Sequence, residues 1–422
     1  MGRPLRSRHL GAIALAVAGL LLAVGCSSDV AYDDSGDWAR TQQQTVLDQR
    51  AKAIRTHDLT LFMSTVQRGD KAFVNRERRY FEGITQLPLE QVRFAAMPKP
   101  WPHALVAAGL PKDAVAVRVR QVIELRDFDA DPGVSVSGLV LAPSGDVWKV
   151  VADRTVGGST FPGYTPQPWD VAAVRVQRSG DVLGVFDDES IQYAGRLLPV
   201  VARAITQDQS AFPFWWAGKV VVYCFEQPRL LDSFRRVPGG NIRDLGAMSF
   251  PVYANTSGTK IAGMRFVVLP ASVSAGTPYL ARLVRHELTH VAVASRDDGA
   301  PTWFIEGLAE YVGARPLARE ARRIPSVAVT KAAEKISAMP TSAHFNGPDQ
   351  DWHYALSWMA CDYIASRFGE ARLWDLMDAF HATEDSAREG DKGQDAVLRQ
   401  EIGMDSSQLA QHAASRIRRI YG

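Results

Sequence analysis

Two histidines one helical turn apart, with a glutamate between them, stand in the segment "RHELTHVAVASRDDGAPTWFIEGLAEYVG" (285–313). Neutral imidazole nitrogens ligate zinc, and histidines at i and i+4 of one helix reach the same ion. The run "GTPYLARLVRHELTHVAVA" reads as that helix, with Thr277 as N-cap and Pro278 at its first position. On a wheel of 100° per residue, His290 falls about 40° from His286 and Glu287 about 100° away. Leu280, Val284, Leu288 and Val291 mark a different side, the one turned to the core. The offset of Glu287 suits a general base acting on water at a metal better than a third ligand.

A second helical pattern starts at Pro301, after the turn-like "RDDGA". On its wheel Glu306, Glu310, Trp303 and Gly307 share one side, and Phe304, Leu308, Tyr311 and Val312 the other. Glu306 can supply the carboxylate ligand and leave a fourth position for water, as catalytic Zn2+ requires. Glu310, one turn further on, is placed to accept the free N–H of a ligand histidine and fix its tautomer. Gly307 is expected to give the two helices room to approach.

"HELTH" followed by "PTWFIEGLAEYVG" resembles the gluzincin metallopeptidases, particularly the peptidase MA-like group. That group pairs an HExxH helix with a later helix carrying W-x-x-E-G-x-A-x-Y, matched here by Trp303, Glu306, Gly307, Ala309 and Tyr311. The resemblance implies that His286, His290 and Glu306 are zinc ligands and that Glu287 is the general base. It covers roughly residues 170–422, with specific motifs only at 286–311. Fifteen residues separate His290 from Glu306, fewer than in aminopeptidase-type relatives. In the gluzincins a tyrosine beyond the glutamate ligand steadies the oxyanion; Tyr354, in "DWHYALSW", matches it best, and packing beside Trp352 and Trp358 is the other reading.

The elements that position these residues form the C-terminal part of a longer plan. Arg3, Arg6 and Arg8 precede the apolar run "LGAIALAVAGLLLAVG" (10–25), which reads as a signal peptide. The run ends in "AVGC", which resembles the lipobox of bacterial lipoproteins and implies a lipid on Cys26. Residues 26–37 then read as a polar tether. From 38 to 165 two helical stretches give way to period-two patterns at 115–125, 134–143 and 146–155. This order looks like a nuclear-transport-factor-like or SnoaL-like cone. The proline-rich "FPGYTPQPWD" (161–170) marks the boundary to a zincin-type domain over 166–422 that becomes mostly helical after Thr277. The fold class expected is α+β.

Removing residues 1–25 changes the formal charge from +2 to −1. With no basic stripe left, nothing suggests nucleic acid as a partner, and no P-loop or G-x-S-x-G elbow suggests a nucleotide or a serine esterase. Cys224 and Cys361 make either one disulfide or two packed thiols. The strand "GMRFVVLP" is either an internal strand or an edge able to pair with an extended peptide. The function expected is a lipid-anchored, extracytoplasmic zinc peptidase acting on peptides or proteins. The rival from another class is an inert zinc-containing lipoprotein that binds a ligand or the cell envelope.

Overall fold

The computed structural model describes residues 34–102, 106, 109–153, 166–233, 245–297, 299–382 and 393–422. The expected signal peptide, Cys26 and most of the tether lie outside the described residues. The tether was expected to reach residue 37, but residues 34–37 already form the first turn of a helix.

Three helices come first: α1 (Asp34–Arg55), α2 (Leu59–Ser64) and α3 (Lys71–Ile84). Asp58 and Asp70 cap α2 and α3 by accepting from the N–H groups of Leu61 and Ala72. An antiparallel sheet follows in the order β1-β2-β3-β4, made by β1 (Leu89–Ala96), β2 (Val115–Leu125), β3 (Gly133–Ser144) and β4 (Val147–Ala152). The edge strand β1 carries no clean alternation, and the sequence did not disclose it. Its outer edge is sealed by α1: Gln44 bonds Phe94 O and Ala96 N, and Arg55 donates to Val92 O.

The second sheet involves α4 (Pro168–Val171), β5 (Arg175–Ser179), β6 (Val182–Phe186), α5 (Ala194–Gln209), β7 (Val220–Cys224), α6 (Pro228–Ser233), β8 (Ala247–Tyr253) and β9 (Ile261–Val268). Its strand order is β5-β6-β7-β9-β8, with β6, β7 and β9 parallel and the two outer strands antiparallel. "GMRFVV" therefore lies in an internal strand, and β8 is the edge. Two hairpins share the sequence S-G-D-V, and each turns on a glycine at positive φ, Gly145 at 63° and Gly180 at 59°.

Helices complete the chain: α7 (Pro270–Ser274), α8 (Thr277–Val293), α9 (Thr302–Ala314), α10 (Ser326–Ala332), α11 (Gln350–Phe368), α12 (Ala371–His381), α13 (Gln394–Ile402) and α14 (Ser406–Tyr421). Among the described residues, no helix is long and apolar enough to cross a membrane. The architecture is α+β, with an antiparallel sheet near the N-terminus and a helical C-terminal half.

Strands β6 and β7 are buried at every residue because both faces of their sheet are covered. On one face Leu183, Val185, Val221, Tyr223 and Val267 join the core of α1–α3 and the first sheet, together with Trp169. On the other, Val182, Phe186, Val222 and Phe266 pack against α5 and α8. Apolar core thus runs without a break across the expected boundary at 161–170. An ion pair crosses the same seam: Arg265 of β9 donates to Asp129 at 2.5 Å, with both side chains almost wholly buried. A third core, built on Trp303, Phe304, Trp358 and Phe380, holds the C-terminal helices together. Cys224 and Cys361 are free, buried thiols in different cores, which matches the packed-thiol reading.

Candidate metal centre

Helix α8 starts one residue earlier than the capping pattern suggested. Gly276, at φ 120°, is the N-cap, and Thr277 is already helical. The run from Arg285 to Thr289 is buried at every position, because α8 lies between the second sheet and α9. The polar side of the wheel is therefore an internal seam facing another helix, not solvent.

Side chains across that seam form rungs. Arg282 meets Glu310, His286 meets Glu310 and Glu306, and His290 meets Glu306, so the two helices run in opposite directions. Close approach was expected at Gly307, but it occurs at Gly313. A Cβ on Gly313 would stand 3.0 Å from Arg282 O and 3.4 Å from His286 N. The guanidinium of Arg285 locks the crossing by donating twice to Gly313 O, at 3.0 and 2.7 Å. Gly307 faces α11 instead, where a Cβ would lie 2.4 Å from Ser357 O. Trp303 belongs to the helical core rather than the metal side, and its Nε1–H donates to Gln394 at 2.7 Å.

Three acceptor atoms converge on one space. Nε2 of His286 and Nε2 of His290 are 3.1 Å apart, and Glu306 Oε2 lies 3.2 and 3.4 Å from them. A tetrahedral ion with bonds of about 2.0–2.1 Å sets its ligand atoms roughly 3.3 Å apart, so the spacing fits zinc. Glu306 Oε2 is buried and has no hydrogen-bond partner despite the nearby nitrogens, because the atoms face a common point. An orphaned buried carboxylate oxygen is costly unless a cation satisfies it. His286, His290 and Glu306 are accordingly a group able to hold a metal ion.

The surroundings are strongly charged. Burial disfavours the imidazolium of His286, but Glu306 and Glu310 outweigh it and hold the ring's pKa well above its ordinary value. Burial likewise opposes ionisation of Glu306, yet His290 and His286 pull its pKa far below the usual carboxylate range. For Glu310 burial is again overcome, by His286 and Arg282, and its pKa falls to about 2. A low value keeps Glu310 an acceptor, and its Oε1 lies 3.5 Å from Nδ1 of His286. That contact leaves Nε2 of His286 to the shared space.

The carboxylate of Glu287 meets the edge strand β8. Ser249 of β8 donates to its Oε2 at 2.7 Å. Burial raises the pKa of Glu287, and His286, His290 and Ser249 only partly offset it. Tyr354 of α11 comes to the same place: its ring lies 6.2 Å from that of His286 and 5.0 Å from Phe345. Burial, then the charges of Glu306, Glu287 and Glu310, push its phenol well above the ordinary range. His353 turns aside, with Nδ1 2.8 Å from Phe345 O. All six residues expected at the site, from His286 to Tyr354, meet there; Cys26 lies outside the described residues.

Two participants went unread in the sequence. Ser249 had no local signal, since only sheet register brings β8 under Glu287. Arg282 did have one: it sits one turn before His286, on the same helix face. A cavity of about 850 Å³ lies elsewhere, between α1, the first sheet and the β8–β9 hairpin, lined among others by Asp48, Arg55, Arg93, Arg120 and Lys260. None of the cluster residues touches it. A comparison with protein-family models finds no match to this chain, and neither does a comparison with curated proteins.

Proposed function

We propose that the chain is a gluzincin-type zinc metallopeptidase. His286, His290 and Glu306 would hold the ion, and Glu287 would be the general base. One observation carries the reading: three acceptor atoms from two helices converge at tetrahedral spacing, and one of them has no other partner. Zinc at this place would supply Lewis acidity toward an amide carbonyl and toward the attacking water.

The remaining work falls to the chain. Glu287 takes a proton from the attacking water and delivers it to the leaving nitrogen. Its burial favours the protonated form that this relay passes through. Ser249 keeps the carboxylate in one orientation. Tyr354, held protonated, has an O–H to offer the negative charge that develops on the former carbonyl oxygen. Glu310 fixes the His286 tautomer from behind.

The N-terminal unit, with its helices and curled antiparallel sheet, fits a nuclear-transport-factor-like cone, and the C-terminal unit fits a zincin-type domain. Lipidation at Cys26 would place both on the extracytoplasmic face of a membrane, where the substrate would be a peptide or protein. Glu287→Gln tests the mechanism. The variant should keep one zinc per chain and cut a generic peptide library about 100- to 10,000-fold more slowly than wild type. Equal cleavage by the variant contradicts the role of Glu287. Zinc-loaded wild type that cuts nothing supports the inert binding module instead.

A further inference from the structure

The rung beyond the ligands is a guanidinium. Arg282 stands one turn before His286 on α8 and donates through Nη2 to Glu310 Oε2, while Glu310 Oε1 faces Nδ1 of His286. The chain of contacts runs from Arg282 through Glu310 to a ring whose far nitrogen belongs to the cluster. We propose that Arg282 is a positioning residue that sets the affinity of the metal centre by fixing Glu310 against His286. The inference rests on the metal reading above.

Three structural reasons support it. First, Arg282 is itself held: its guanidinium lies over the Trp358 ring at 4.6 Å, and Nη1 donates to Arg323 O at 3.4 Å. A planar fork fixed on an aromatic face presents its donors in one direction, which a lysine does not do. Second, engaging Oε2 leaves Oε1 as the oxygen that faces His286, so the imidazole keeps one orientation and one tautomer. A Glu310 released from Arg282 has rotamers that turn toward the ion or toward solvent. Third, the neighbouring Arg285 has two of its donors committed to Gly313 O, so the guanidinium that meets Glu310 is that of Arg282.

The test is a cycle of variants read by Zn2+ affinity, measured by competition with a chromophoric chelator, with no need of a substrate. Arg282→Gln and Glu310→Gln should each weaken zinc binding roughly 10- to 100-fold, the range for residues that orient a ligand. Arg282→Gln made on the Glu310→Gln background should change affinity less than about 2-fold, because the group it acts through is gone. Arg282→Lys should recover part of the loss. A merely structural role for Arg282 gives the opposite pattern: equal further loss on the Glu310→Gln background, with a matching fall in the melting temperature of zinc-free protein. Unchanged affinity in Arg282→Gln also overturns the proposal. Absence of zinc binding in wild type overturns the metal reading itself, a different failure from either. Should Arg282→Gln not fold, the Arg282→Lys and Glu310→Gln pair carries the same comparison.

Discussion

Replacing Asp129 with alanine should be among the most damaging single changes to this chain, although Asp129 touches no residue of the metal cluster. The carboxylate of Asp129 accepts from Arg265 at 2.5 Å and from the Leu125 N–H at 2.8 Å. Side-chain exposure is 3% for Arg265 and 1% for Asp129, so water cannot replace the lost partner. Among the described residues, the Tyr223 hydroxyl and the neighbouring Met264 carbonyl are the partners left to the guanidinium without Asp129. Removing one member of a buried pair costs about 3–5 kcal/mol, because the survivor remains charged and desolvated. The orphaned Leu125 N–H adds about 1 kcal/mol. Urea unfolding followed by tryptophan fluorescence reads the effect as a lower midpoint with an unchanged slope. The transition should stay single, because both sheets share one apolar core. Exchanging the whole pair, as Asp129→Ala with Arg265→Met, should recover most of the loss, since a buried ion pair is often matched by apolar packing. A loss below about 1 kcal/mol in the single variant would refute the reasoning. So would a double variant whose loss equals the sum of the two singles.

Three further outcomes follow from the geometry. Gly307→Ala places a Cβ 2.4 Å from the backbone oxygen of Ser357; overpacking of about 1–3 kcal/mol should outweigh the helix-propensity gain and lower the melting temperature. Asp208 is buried, and its pKa is pushed up to about 8 from 3.8, with Arg285 and Arg315 only partly opposing. The folded state therefore binds a proton that the unfolded state releases above pH 3.8, and stability falls as pH rises from about 4 to about 8. Asp208→Asn should flatten that slope in urea midpoints taken across the range, and an unchanged slope contradicts the assignment. Ser249→Ala removes a hydrogen bond to the proposed base and should lower kcat about 3- to 10-fold with KM and zinc content unchanged; a change in KM alone points to a different role.

What could be read in advance was what local spacing controls. His286, Glu287 and His290 lie on one helix and Glu306 and Glu310 on the next, so 3.6-residue periodicity alone sorts them by direction. The same periodicity misled where neighbours decide. It grouped Trp303 and Gly307 with the acids, but α11 and α13 wrap that side of α9 and turn it into core. Gly313, which permits the α8–α9 crossing, lies at the very end of the second motif, and nothing in its spacing marks it out. Strand order was equally hidden. That β9 is internal and β8 the edge depends on pairing between segments distant in sequence, and so does the contact of Ser249 with Glu287. Asp129 and Arg265 are 136 residues apart, and no pattern along the chain joins them.

The central claim is that His286, His290 and Glu306 form a zinc site, and metal content tests it most directly. Wild-type protein purified without chelators and His290→Ala prepared in parallel are compared by elemental analysis. The account predicts close to one zinc per chain in wild type and a large loss in the variant, with both proteins folded by circular dichroism. Wild type free of zinc that takes none up on dialysis, or a variant holding as much as wild type, would contradict it.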